Sequence, residues 1–185
     1  MKNVLIISGH TDLNDSVANR VIVEELRKAL PDAEFSVLSE EYPDFRIDVK
    51  AEQDKLVKAD VIVWQFPVFW YSYPSLLHRW IEEVVVHGFA YGSTGHAIAG
   101  KKFIPSFTTG APAEAYSKEV MGMTIEEVMD PQLKGFAALT QLDLMPYVYT
   151  CGVSYALRTE PEQLEQIKSL SIEHARRLVE AIRQA

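Results

Sequence analysis

One cysteine, Cys151, is all the thiol the 185 residues contain. A lone thiol makes no internal disulfide, so the fold must rest on its core, and a reducing, cytoplasmic setting is expected. The chain has no run of Lys and Arg to offset a net charge of −8. That acidity disfavours nucleic acids and anionic membrane surfaces as partners. Long apolar runs are missing too. The richest stretch, Val61 to Leu77, is broken by Gln65, Pro67, Ser72, Pro74 and Ser75, whereas a bilayer span needs roughly 20 mostly apolar residues. Val4-Leu5-Ile6-Ile7 is too short for a signal-peptide core. The expectation is a soluble protein that is not membrane-embedded. With 48% hydrophobic and 24% charged residues it is not a disordered chain, and its length fits one domain over 1–185.

Several motifs are equally absent. Gly9 stands alone where a dinucleotide fingerprint needs three glycines. Gly95 to Lys101 has P-loop spacing, but Lys102 sits where Ser or Thr should bind magnesium, and the segment precedes a strand instead of following one. No Gly-x-Ser-x-Gly elbow is present. His78, His87 and His96 lack metal-binding helical spacing, so no metal is expected. Cys151 reads as a buried packing residue.

What remains is an alternation of strands and helices. Asn3–Ser8 is a near-continuous apolar run, as in a strand covered on both faces. Ala18, Ile22, Leu26 and Ala29 recur at helical spacing within Ser16–Leu30, and Pro31 ends that helix. Glu34–Leu38 reads as a strand, Glu41–Phe45 as a loop and Val49–Ala59 as a short helix. Val61–Phe66 is the most emphatic strand. A helix follows from Pro74 to Val84, with proline in its first turn. The loop Gly88–Gly100 holds four of the nine glycines. Lys102–Thr108 is a fourth strand, Leu133–Leu142 a helix, and Pro146–Tyr155 a fifth strand. Thr159 and Glu162 have capping-box spacing ahead of a last amphipathic helix. The predicted fold is α/β, a doubly wound five-stranded parallel sheet with helices on both faces. Ligands of such sheets sit beyond the strands' carboxyl ends, which selects the loops after Ser8, Phe66 and Thr108.

Each of those loops has two readings. Ser16 and Asn19 lie one turn apart where a helix begins, and a helix start with added donors can hold a phosphate. Ser16 could equally be a plain cap, and Asp12 and Asp15 oppose an anion unless they turn away. Pro67-Val68-Phe69-Trp70-Tyr71-Ser72-Tyr73-Pro74 offers a rigid aromatic surface for a planar ligand, or a core or subunit contact. Thr108-Thr109-Gly110-Ala111 offers hydroxyls and approachable backbone for a heterocycle's polar edge, or an ordinary turn.

In order along the chain stand Gly9-His10 with Ser16 and Asn19, then Tyr42-Pro43-Asp44-Phe45 with Ile47-Asp48. Trp64-Gln65-Phe66-Pro67 follows, with Trp70-Tyr71-Ser72 and Pro74, then Leu77 and Trp80-Ile81. His87-Gly88-Phe89-Ala90-Tyr91-Gly92, Gly100-Lys101 and Thr108-Thr109-Gly110 complete the series. This series resembles the flavodoxin-like NAD(P)H:quinone oxidoreductases of the DT-diaphorase superfamily over essentially the whole chain. It is most similar to bacterial quinone reductases related to the ancillary flavoprotein of the glutathione-gated potassium-efflux system. The resemblance implies a flavodoxin-like fold and an FMN cofactor, with NADPH or NADH as co-substrate and a small quinone-like acceptor. It implies that His10, Ser16, Val17, Ala18 and Asn19 hold the phosphate and ribityl chain. Pro67, Val68, Phe69 and Trp70 would line the ring, and Thr108, Thr109, Gly110 and Ala111 its polar edge. Tyr116 stands where relatives place an active-site tyrosine. The resemblance also implies a homodimer and allows a transporter partner. Two departures stand out: Ala111-Pro112 replaces a second glycine, and Met121-Gly122 occupy the neighbourhood of the histidine that partners the tyrosine in animal enzymes.

Overall fold

Near-continuous apolar runs become strands, and the helix-spaced runs form the layers that cover them. The computed structural model describes residues 2–185. Along the chain come β1 Val4–Ser8, α1 Ala18–Ala29, β2 Glu34–Val37, α2 Leu38–Glu41, α3 Val49–Lys58 and β3 Val61–Pro67. They are followed by α4 Ser75–Val84, β4 Lys102–Thr108, α5 Ile125–Thr140, β5 Asp143–Leu144, β6 Val148–Thr150 and α6 Pro161–Gln184. The strands pair in parallel in the order β2-β1-β3-β4-β5, with β6 also against β4. Among the described residues no helix is long and apolar enough to cross a membrane.

Alternate strand residues point to opposite faces, and the two faces differ in kind. Ile62, Trp64, Phe66, Phe103 and Phe107 pack with Leu56, Leu77, Trp80 and Met129 under α3, α4 and α5. Ile6, Val61, Val63, Ile104 and Val148 pack with Ile22, Leu26, Leu178 and Ile182 under α1 and α6. Toward the strands' carboxyl ends this second face turns polar. Ser8, Gln65 and Ser106 stand in one register row across β1, β3 and β4, and all three are buried.

A buried carboxylate ties the first layer together. Glu52 of α3 is fully buried. It accepts from Ser36 Oγ at 2.9 Å, Tyr42 OH at 3.0 Å, Trp80 Nε1 at 2.7 Å and Lys55 Nζ at 2.6 Å. Burial pulls the Lys55 pKa down, but its hydrogen bonds to Glu41 and Glu52 outweigh this and raise it.

Five expectations need correction. The fifth position of the sheet holds two short strands instead of one over Pro146–Tyr155. Between the pairs Phe103↔Leu144 and Ser106↔Val148, Ile104 and Pro105 face Met145, Pro146 and Tyr147. Neither proline has an N–H for the ladder, and the extra residue breaks it. Helix α5 begins at Ile125, not Leu133, because Thr124 and Glu127 form a reciprocal capping box and the helix runs through Pro131. The box expected at Thr159 and Glu162 does not form. Thr159 ends a 3₁₀ turn, and α6 starts with Pro161 and no side-chain cap. Glu41 belongs to a helical turn, Leu38–Glu41, and Cys151 is half-buried, not buried.

Candidate functional site

The winding of the sheet reverses between β1 and β3, so the loops that leave them part and open a crevice. A cavity of about 270 Å³ lies there. Gly9 brings β1 into it pressed against α4: a Cβ on Gly9 would stand 2.8 Å from Leu77 Cβ.

Of the residues singled out by sequence, His10, Ser16, Val17, Ala18, Asn19, Pro67, Val68, Phe69, Thr108 and Gly110 line this cavity. Ser16 Oγ accepts from the Asn19 N–H at 3.1 Å and lies 3.5 Å from Asn19 Nδ2. Asn19 Nδ2 also donates to Thr108 Oγ1 at 3.1 Å. Both hydroxyl oxygens therefore act as acceptors toward the protein, and among the described residues neither hydroxyl proton has a protein acceptor. Ser16 is thus a cap and a free donor at once. The start of α1 adds N–H groups without intrahelical partners.

The acidic residues are turned to other tasks. Asp12 accepts from the Asn14 and Asp15 N–H groups and caps a 3₁₀ turn. Asp15 pairs with Arg158 at 3.1 Å, and the Arg158 guanidinium lies 3.3 Å from the centroid of the Tyr155 ring. His10 Nδ1 accepts from the Asp12 N–H at 3.0 Å, and its ring meets Phe69 edge-on at 5.6 Å. Burial lowers its pKa, against the pull of Asp12 and Asp15.

Trp70 is outside the cavity lining and 94% exposed. It shares a turn with Tyr71 in which both residues have positive φ, 50° and 62°, between mutual backbone hydrogen bonds of Phe69 and Ser72 at 3.0 Å. Non-glycine residues rarely sit there. Thr109 and Ala111 also lie off the lining. The Thr109 hydroxyl donates to the Ala111 carbonyl at 2.8 Å and its N–H to the Thr150 carbonyl at 3.0 Å. Among the described residues the Gly110 and Ala111 N–H groups have no protein partner. Tyr116 closes a 3₁₀ turn, half-buried against the aromatic face. Burial raises its phenol pKa.

Val153, Ser154, Tyr155, Arg158 and Ile167 also line the cavity and were not singled out by sequence. The first four arrive through the β6–α6 connection, where Gly152 and Val153 donate to the Ala111 and Thr109 carbonyls, and Ile167 stands on α6. No local motif marks them. Among the described residues no three His, Cys, Asp or Glu side chains converge as a metal group.

The profile of the flavodoxin-like fold family matches residues 2–178. The chain belongs to that family. As a flavodoxin-like chain it is 47% identical, over 107 residues, to the glutathione-regulated potassium-efflux system ancillary protein KefF of Enterobacter sp. (strain 638). That match covers 58% of this chain and 60% of the relative, less than two thirds of its length. General stress protein 14 of Treponema denticola, solved in complex with FMN, superposes with a TM-score of 0.84 at 29% identity, covering 97% of this chain and 98% of that one. An NADPH-quinone reductase from P. pentosaceus superposes with a TM-score of 0.72 at 25% identity, covering 95% and 98%.

Proposed function

We propose that this flavodoxin-like protein is an FMN-dependent NAD(P)H oxidoreductase that passes two electrons to a quinone or similar small acceptor by a ping-pong mechanism. One observation carries the reading: buried hydroxyl donors and an exposed aromatic turn border the same crevice. The unspent protons of Ser16 and Thr108 suit an anionic group. Phe69 and Trp70 suit a flat ring beside it. The FMN complex of the Treponema denticola protein and the activity named for the P. pentosaceus reductase support the assignment.

On this reading His10, Ser16, Val17, Ala18 and Asn19 hold phosphate and ribityl oxygens, with Arg158 on the rim. Pro67, Val68, Phe69 and Trp70 line the ring. Thr108, Thr109, Gly110 and Ala111 form its polar edge, where the free Gly110 and Ala111 N–H groups stabilise developing negative charge without reorganising. Bound FMN supplies the redox chemistry and the protein orients it. Tyr116 keeps its proton at neutral pH and donates a hydrogen bond to an acceptor oxygen.

Mixing the protein with FMN should quench flavin fluorescence. Anaerobic NADPH or NADH should bleach the visible band, and a quinone should restore it. Absence of any FMN affinity sinks the reading. The exposed Trp70 and Tyr71 rings also favour a two-fold homodimer, which light scattering tests. A second reading, as a cytoplasmic regulatory partner of a potassium-efflux transporter, rests on the likeness to the ancillary protein. Its mark would be transporter binding that survives in a variant without reductase activity.

A further inference from the structure

The polar row beneath the cavity continues onto the sheet-facing side of α6. His174, fully buried on that helix, has Nε2 at 2.8 Å from Ser106 Oγ and Nδ1 at 2.9 Å from Thr150 Oγ1. Arg177, one turn on, donates to Thr150 Oγ1 at 2.7 Å. Ser106 Oγ donates to Gln65 Oε1 at 2.5 Å, and Gln65 Nε2 to Asn19 Oδ1 at 3.0 Å.

The direction of these bonds follows from counting protons. A guanidinium has donors and no acceptor, so Thr150 Oγ1 must accept from Arg177. Among the described residues the Thr150 proton has no other protein acceptor, so it goes to His174 Nδ1. That leaves the imidazole proton on Nε2, directed to Ser106 Oγ, whose own proton goes to Gln65 Oε1. Gln65 donates to Asn19, and Asn19 donates to Thr108 and Ser16. Every link points the same way, and the last protons are the two unspent hydroxyl protons at the cavity.

We propose that Arg177, Thr150, His174, Ser106 and Gln65 form a one-way hydrogen-bond relay that commits Ser16 and Thr108 to donate into the cavity, making it selective for an anionic group such as phosphate. These five are positioning residues, since none of them lines the cavity. Chained hydrogen bonds polarise one another in a low-dielectric interior, so the Arg177 charge strengthens donors several bonds away. The alternative proton order would turn both hydroxyls inward and offer lone pairs to the ligand, which repel an anion. The relay deepens the proposed function and rests on its anion-binding half alone.

Two measurements test it. Two-bond ¹⁵N–¹H spectra of the wild type should show His174 protonated at Nε2 and bare at Nδ1; a proton on Nδ1 overturns the relay without any variant. Inorganic phosphate, titrated against the ligand-free protein, should bind Thr150→Val and Arg177→Met roughly fivefold more weakly than wild type, about the effect of one net hydrogen bond. Thr150→Ser, which keeps the hydroxyl, should restore the affinity. Wild-type affinity in both weakened variants overturns the proposal. A wild type that binds phosphate but not FMN sinks the flavin reading and leaves the relay standing, whereas one that binds neither overturns both.

Discussion

Gln132 grips the Trp70–Tyr71 turn through Ser72: the Ser72 hydroxyl donates to Gln132 Oε1 at 2.7 Å while Gln132 Nε2 donates to the neighbouring Tyr71 carbonyl at 3.0 Å. One α5 side chain thus holds a turn whose two central residues are both left-handed, at roughly 1–2 kcal/mol each for an L-residue. Such conformations persist only where surroundings over-determine them, and they cluster at functional sites.

Gln132→Ala should therefore loosen this turn before anything else. Amide hydrogen exchange at Phe69 and Ser72 should speed up. Global stability should fall by about 1–2 kcal/mol, the net worth of two hydrogen bonds. Unchanged exchange at both amides would show that the turn holds itself.

The Asp15–Arg158 pair gives a prediction with a sign. Asp15→Asn removes a negative charge from the cavity rim and frees the guanidinium, so phosphate should bind more tightly. Arg158→Ala should do the reverse. Both side chains are partly exposed, 55% and 31%, so each effect should be about two- to fivefold at low salt and shrink as ionic strength rises. Titration calorimetry at two salt concentrations checks both statements.

Tyr116→Phe separates a polarising donor from a wall. A donor to the acceptor oxygen predicts a fall in kcat near the lower end of the ~10²–10⁴-fold range for acid–base groups, with KM little changed. A ring that only covers the pocket predicts the opposite split. Steady-state kinetics with one quinone decides.

His174 makes stability depend on pH. Burial, with help from the Arg177 charge, lowers its pKa to about 3. In the unfolded chain it titrates near ~6.5. Above that pH the imidazole is neutral in both states and costs nothing. Below it the unfolded state takes up a proton that the folded state refuses, so stability is lost as pH falls from 6.5 toward 3, by up to about 1.4 kcal/mol per unit. Urea unfolding of wild type and His174→Gln from pH 7.5 to 5 should give curves whose difference carries this slope. Parallel curves would mean the folded imidazole titrates as it does in the unfolded chain.

The parts of the site legible in the sequence are those whose meaning is local. Ser16 and Asn19 show themselves because one helical turn aligns them, and the Pro67–Pro74 loop because strand, aromatics and prolines are contiguous. Arg158 could not be read this way, as its partner Asp15 is 143 residues distant. Gln65 and His174, 109 residues apart, meet only after α6 folds back over the sheet. The misread elements involve proline in both directions. The capped α5 absorbs Pro131 within its length, while Pro105 and Pro146 break the ladder between neighbouring strands. Only the tertiary pairing tells these cases apart.

Glu52 carries a consequence for alignment. Its donors come from β2, from the residue after α2, from α4 and from its own helix. A slip of α3 by one residue would bring Ala51 or Gln53 to the centre and leave an indole N–H, a phenol and an ammonium without their shared anion. Breaking a buried charge cluster costs about 3–5 kcal/mol, more than sliding could return in apolar contact. The carboxylate acts as an indexing pin for the layer over the aromatic face. Because α4 is indexed with it, Leu77 stays against Gly9, and the mouth of the crevice keeps one width.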